Sequence, residues 1–390
     1  MAVELGTWYW LDAGQPQEWE ADVRDMRQLG YDYVVLGWGS WIVAIGDRIE
    51  ETRRMLDYCE RHGLAAYLCI WSGMAMFPHL GGEVNRQIDN RGVARDYYNL
   101  WDAGWRAGAY RDYLARIAQA YRGSPALRGY LFDDTFASYS SDPRAGKYTS
   151  YAPGDAERFR AYLRAKYRTV AVINLFWGKD RYASWSAIEP PREPSQDFWL
   201  EWFEARAGWF EDWAHETHET LRGLDPQREL YLLDGGGIAA NLREWYGVDL
   251  GRLTRYFDTV MLYAMPSGFD QPRVEMAPIL EAVDFMVGVT KGLAPGKSIA
   301  FDFHVYQPFG ADFDQPSTWP YPDLEQIGQL SRQAIRSGAD KVEHYAFRTG
   351  NWRIKDRRPG KPLPEVKTML RYRRDLWPGL CELNSELHGR

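Results

Sequence analysis

Short apolar or aromatic runs alternate with stretches in which apolar residues recur every three to four positions along this chain. Eight runs stand out: Leu5–Trp10, Tyr33–Leu36, Ala65–Ile70, Leu127–Phe132, Leu230–Leu233, Thr259–Tyr263, Ser298–Phe303 and Val342–Phe347. Each is bounded by Gly, Pro or Asp and is short enough for a strand buried on both faces. The stretches between them, such as Glu18–Leu29, Arg48–Arg61 and Tyr110–Tyr121, carry helical periodicity. Strand and helix in strict alternation predict a parallel sheet. Eight such units predict a (β/α)8 TIM barrel, an α/β fold of about 250 residues before insertions.

The chain has 390 residues, so there is a surplus, and it sits in two places. One is a helical insertion of about residues 135–225, after the fourth strand. It holds helix-like Asp155–Tyr167 and a long helix from about Ser195 to Leu224. The other is the loop His304–Pro322 after the seventh strand, rich in Pro, Asp and aromatics. Both follow strand C-termini, the face on which barrels build their sites. The expected organisation is one barrel domain over residues 1–390. A doubly wound open sheet is the alternative, but the first strand runs into Leu-Asp-Ala-Gly-Gln-Pro rather than G-x-G-x-x-G.

Composition narrows the class. With 47 basic and 54 acidic residues the net charge is −7, which argues against a nucleic-acid surface. A 45% hydrophobic and 26% charged chain excludes disorder and collagen-like repeats. Cys59, Cys69 and Cys381 have neither a disulfide framework nor metal-ligand spacing. The N-terminus lacks the basic and apolar regions of a signal peptide, and no apolar run approaches the roughly 20 residues of a membrane span. A cytoplasmic protein is the expectation, with no membrane partner; homo-oligomer formation is left open.

Polar residues at the C-terminal ends of barrel strands converge on one mouth. Here they are Asp133 and Asp134 after strand four, Asp234 after strand five and Tyr263 on strand six. Strands seven and eight add Asp302, His304, Glu343, His344 and Arg348. The set is rich in carboxylates and lacks a G-x-S-x-G elbow. Paired carboxylates suit acetal cleavage: one protonates the leaving oxygen, and the other attacks or stabilises the oxocarbenium-like carbon. In Tyr130-Leu131-Phe132-Asp133-Asp134, each carboxylate resists ionisation of the other, which raises one pKa as a general acid requires. Glu343 shares strand parity with Tyr345 and Phe347 and is expected deep in the barrel beside a cation. The histidines show no H-x-H or H-E-x-x-H spacing, so no metal and no cofactor is expected.

Eighteen tryptophans, in an aromatic content of 15%, exceed what one core needs. Trp199, Trp202, Trp209 and Trp213 fall at helical spacing and are expected to pack their helix onto the barrel. Trp10, Trp38, Trp71, Trp319 and Trp352, by contrast, lie at strand ends or in the loops that follow, where aromatic faces beside polar groups suit a specific pocket.

Several strings resemble the family 42 β-galactosidases of glycoside hydrolase clan A. Ser124-Pro125-Ala126-Leu127-Arg128-Gly129-Tyr130 is similar to that family's hPALxGW approach to the fourth strand. Phe159-Arg160-Ala161-Tyr162-Leu163-Arg164-Ala165-Lys166-Tyr167 is similar to its FRxWLxxKY. Leu175-Phe176-Trp177-Gly178 and Trp185 through Pro191 resemble its AWG…W…IxPP. The resemblance implies an Asn-Glu after strand four as acid/base and a Glu on strand seven as nucleophile. Here those positions fall on Asp134-Thr135 and on Asp302. Leu131-Phe132-Asp133-Asp134 is also similar to the paired-Asp motif of substrate-assisted hexosaminidases of family 84.

The expected function is hydrolysis of an oligosaccharide or glycoside. Asp134 or Asp133 would be general acid/base and Asp302 nucleophile or stabilising carboxylate. Asp234, Tyr263, His304 and Arg348 would orient the substrate against Trp10, Trp38, Trp71, Trp319 and Trp352. A substrate-assisted N-acetylhexosaminidase and a non-catalytic carbohydrate-binding barrel are the alternatives.

Overall fold

The computed structural model describes residues 3–38, 48–70, 85–132, 148–178, 180–234, 248–264, 275–305, 322–350, 365–366 and 368–389. Its strands, in chain order, are β1 (Glu4–Trp10), β2 (Tyr33–Gly37), β3 (Ala65–Ile70), β4 (Arg86–Ile88), β5 (Ala94–Tyr98), β6 (Leu127–Phe132), β7 (Glu229–Asp234), β8 (Thr259–Ala264), β9 (Ser298–His304), β10 (Lys341–Gly350) and β11 (Glu365–Val366). Eight of them form a parallel sheet in the order β1-β2-β3-β6-β7-β8-β9-β10, and β10 pairs back onto β1. The sheet closes, and the fold is the (β/α)8 TIM barrel that the eight apolar runs predict. All eight runs lie within these barrel strands.

The helices cover the outside by burying one stripe each. In α2 (Ile49–Arg61) the buried residues are Thr52, Met55, Leu56 and Cys59, a spacing of three, one and three that keeps them on one face. Helix Leu324–Ser337 starts at a capping box, with the Asp323 carboxylate accepting from the Gln326 amide, and stops at Gly338, whose φ of 103° suits glycine. α1 (Trp19–Gln28) lies between β1 and β2 in sequence and buries Trp19, Val23 and Met26.

After β3 the chain forms a small antiparallel hairpin, β4–β5, which the apolar pattern does not announce because its strands read Arg-Gln-Ile and Ala-Arg-Asp-Tyr-Tyr. After β6 come helices Asp155–Tyr167 and Val170–Trp177, then the 26-residue helix Trp199–Leu224. That helix has two partners. Its C-terminal half puts Phe210, Trp213, Ala214 and Leu221 into the barrel's core. Its N-terminal half puts Trp202 and Ala205 into a second cluster with Phe159, Leu163, Ile173, Ile188 and Phe198. Of the helical tryptophans Trp202 and Trp213 are core, and Trp202 packs on the insertion rather than on the barrel; Trp209 is half-buried against both clusters, and Trp199 is half-buried against Tyr148 and Phe203.

Candidate active site

Because side chains alternate across a strand, every second residue enters the barrel. Hydrogen bonds between non-adjacent strands identify the inward set. Lowest is a polar plug. The Lys341 ammonium donates to the Tyr67 hydroxyl at 3.0 Å, to Thr259 Oγ1 at 3.3 Å and to the Glu229 carboxylate. Tyr67 in turn donates to Glu229 at 2.6 Å. Burial alone would raise the Glu229 carboxyl, but Lys341 and these donors hold it below its ordinary value.

Above the plug lies Glu343, fully buried. Its carboxylate accepts from Trp8 Nε1 at 2.8 Å, from the Tyr33 hydroxyl at 2.7 Å and from the Tyr231 hydroxyl at 2.7 Å. Two tyrosines from opposite sides of the barrel and one indole thus meet on one acid. Burial pushes Glu343 up to about 7, opposed by Tyr231, Tyr33, Lys341 and Trp8. The Tyr33 ring reaches Glu343 across position 6, where a side chain could not fit: a methyl group on Gly6 would stand 2.3 Å from that ring.

Asp302 on β9 is the register partner of Glu343 on β10, and its side chain is on the same face. It is 3% exposed, and its Oδ1 has no hydrogen-bond partner among the described residues. Burial first, and the neighbouring Glu343 charge second, raise its carboxyl well above the ordinary range. One step further toward the C-terminal end, the His304 ring stacks on Tyr345 at 4.8 Å with an interplanar angle of 28°. Tyr345 accepts from Trp10 Nε1 at 2.7 Å, and the Trp8 ring lies 5.5 Å from Tyr345 and 5.6 Å from Trp10. Trp8, Trp10, Tyr345 and His304 make an aromatic layer over the carboxyl pair.

Five of the expected site residues are therefore placed with their side chains. Trp10, Asp302 and His304 enter the barrel. Arg348 does not, which corrects its assignment to substrate. Its guanidinium is held by Asp22 of α1 at 2.6 Å and by the Ala13 carbonyl at 3.4 Å, on the side of the sheet where Tyr9 also bonds Asp22. Trp38 needs the same correction. Its indole donates to Thr52 of α2 at 3.1 Å and meets Trp19 of α1 edge-on at 6.4 Å, so it faces the helices. Phe347 also leaves the interior and stacks on Tyr9, because the β1–β10 ladder is irregular between Thr7 and Tyr9 and breaks the parity with Glu343. His344 faces outward to Tyr31 and Ser331.

Asp234 and Tyr263 end β7 and β8, but their side chains are outside the described residues, as are Asp133, Asp134, Trp71, Trp319 and Trp352 altogether. The residues that a strand-end search misses are Tyr33 and Tyr231. Both are hydroxyl-bearing residues in apolar runs, at the parity that faces Glu343. Among the described residues, no cluster of three or more His, Cys, Asp or Glu could hold a metal, and no helix is long and apolar enough to cross a membrane.

The profile of glycoside hydrolase family 42, whose description is beta-galactosidase, matches residues 83–351. The chain is similar to beta-galactosidase BgaH of Haloferax lucentense, with 22% identity over 369 residues that cover 88% of this chain and 53% of that protein. In fold it is similar to the beta-galactosidase of Halorubrum lacusprofundi, at a TM-score of 0.74 and 18% identity over 99% of this chain and 58% of that one. It also resembles the catalytic domain of a beta-amylase from Paenibacillus polymyxa, with a TM-score of 0.64, 14% identity and coverage of 95% and 97%. The matches span 53% of the Haloferax lucentense protein and 27–33% of the other curated relatives. The family profile covers well over half of the chain and includes barrel strands β6 to β10, and on that ground the chain belongs to glycoside hydrolase family 42.

Proposed function

We propose that the chain is a glycoside hydrolase that cleaves an oligosaccharide or glycoside at the C-terminal mouth of the barrel, with residues 1–390 as one catalytic barrel. Asp133 or Asp134 serves as general acid/base. Asp302 is the opposing carboxyl, nucleophile or stabilising anion. The observation that carries this reading is the buried Asp302 carboxyl beneath the aromatic layer of Trp8, Trp10, Tyr345 and His304. Sugar rings present apolar C–H faces and polar edges, which such a layer with one placed acid accommodates. Family membership supports the reaction class. The names of the relatives make a β-galactoside the first substrate to try. No cofactor is needed for this chemistry.

The test is release of nitrophenol from a panel of nitrophenyl glycosides, the β-galactoside first. Turnover by the wild type, lost in Asp302→Asn and in Asp133→Asn or Asp134→Asn, supports the proposal. Sugar binding by calorimetry with no release from any glycoside overturns it in favour of a non-catalytic carbohydrate-binding barrel. One observation favours keeping the substrate-assisted N-acetylhexosaminidase as a second reading. Asp302 is held toward its neutral form, and that mechanism does not require its charge. Full activity of Asp302→Asn with none in Asp134→Asn would select it.

A further inference from the structure

Asp302 and Glu343 are register partners on adjacent strands, both buried and both facing the interior, yet their surroundings differ in kind. Glu343 is surrounded by donors. An indole N–H can only donate, and the Trp8 indole is aimed at one carboxylate oxygen. Two tyrosine hydroxyls are aimed at the other oxygen. Lys341 stands two residues away on the same strand and adds a positive field, although its own bonds go to Glu229, Tyr67 and Thr259. Among the described residues, Asp302 has no comparable set of donors. Its Oδ1 is unpartnered among the described residues, and the backbone at Phe303 is its favourable hydrogen-bond contribution.

Two adjacent buried carboxyls resist ionising together, so over a range of pH one retains a proton after the other has lost its own. The charge settles where donors replace water, and the proton settles where nothing would stabilise an anion. We propose that Glu343 is a positioning residue of the site: it carries the negative charge of the pair and keeps the proton on Asp302, so that the Asp302 carboxylate is offered to a substrate only after that proton has left. The role of Asp302 rests on the reading in the preceding section; the location of the proton does not.

Among the described residues, the groups that bear on the pair come from six strands. β10 supplies Glu343 and Lys341, β1 supplies Trp8, and β2 and β7 supply Tyr33 and Tyr231. His304 follows on β9, stacked on Tyr345, and Tyr263 on β8 is the other register partner of Asp302. Burial and the Glu343 charge push both phenols upward, so they remain donors throughout the physiological range. When the pair titrates, the proton passes from Asp302 to solvent and no other bond changes.

The test is infrared spectroscopy of the intact protein without sugar, at a pH well above the Glu343 value of about 7, where Glu343 is ionised. The difference between wild type and Asp302→Asn isolates the carbonyl stretch of the pair's protonated carboxyl from those of other buried acids. Labelling of aspartate side-chain carboxyls with carbon-13 is expected to shift this band, and labelling of glutamate carboxyls to leave it in place. Sensitivity to the glutamate label, or no band in the difference, overturns the proposal. In Glu343→Gln the band is expected to disappear at lower pH than in wild type, because the repulsion is gone; an unchanged or higher midpoint overturns the role of Glu343. Should that variant not fold, Tyr231→Phe removes one donor and is expected to give the band partial glutamate sensitivity; pure aspartate sensitivity then counts against the proposal. A glycosidase reading that fails leaves these spectra unaffected, so the two failures are distinguishable. Where turnover is measured, kcat/KM is expected to rise with pH along the same midpoint as the Asp302 band.

Discussion

Trp10 donates its indole N–H to the Tyr345 hydroxyl at 2.7 Å, so β1 and β10 are joined by side chains as well as by their ladder where the barrel closes. Trp10→Phe keeps an aromatic ring but trims its bulk and removes this bond. A loss of about 2–3 kcal/mol is expected, the ordinary value of a buried hydrogen bond plus the cavity left by the smaller ring, while Tyr345 retains Thr349 at 3.3 Å. Denaturant unfolding of the two proteins measures it.

Arg348 and Asp22 form a buried ion pair between β10 and α1. Arg348→Met should destabilise by about 3–5 kcal/mol, the cost of leaving a buried charge unpaired. Arg371, at 3.4 Å from Asp22, would moderate this loss. Arg348→Lys should recover little, since one ammonium cannot reproduce the two guanidinium bonds at 2.6 and 2.9 Å. Because this arginine faces the helices, sugar affinity of any folded variant should equal that of wild type by calorimetry.

His344 is enclosed by Tyr31 and Ser331, and burial pushes its pKa down to about 3 from 6.5. The unfolded chain binds a proton here between those two values while the folded chain does not. Stability from this residue is therefore complete above pH 6.5 and falls as pH drops toward 3. The slope is ~1.4 kcal/mol per pH unit within that window. The carboxyl pair has the opposite sign, since its folded proton is held above the unfolded carboxyl range, and it loses stability as pH rises. Comparison with His344→Gln isolates the histidine: unfolding free energies measured from pH 4 to 7 should diverge from those of wild type toward neutral pH, with wild type showing the steeper rise.

Gly6→Ala places a methyl group 2.3 Å from the Tyr33 ring, which must then move off Glu343. The expected cost is about 1–3 kcal/mol, that of removing a donor from a buried acceptor and crowding the core. Gly129→Ala should be worse, because its methyl group would meet the Glu229 carbonyl oxygen at 2.2 Å and backbone cannot step aside. Soluble yield and thermal melting rank the two.

The barrel was legible because strands buried on both faces read as continuous apolar runs, and all eight carried that signature. The β4–β5 hairpin was not, since three- and five-residue polar strands have no period to detect. Asp302 and Trp10, expected from their place near strand ends, do face the barrel interior, but the same rule misplaced Trp38 and Arg348. Parity would have moved Trp38 to the outer face with Val34 and Leu36, opposite Tyr33. Parity would also have moved Arg348 outward with His344, but it would not have placed Phe347, because the irregular ladder beside Tyr9 breaks the alternation after Tyr345. The donors around Glu343 escaped for another reason: tyrosines within apolar runs read as core, and it takes three-dimensional closure to bring Tyr33 and Tyr231 to one carboxylate.

The helix Trp199–Leu224 belongs to two cores at once, and this has a mechanical consequence. Neither half can melt without fraying the other, since helix formation propagates along a continuous ladder of bonds. The insertion is thereby geared to the barrel wall: strain at Trp202 is felt at Trp213 three turns away, beside Phe132 at the end of β6. Shortening the loops around the insertion would act on the strand that leads directly into Asp133 and Asp134.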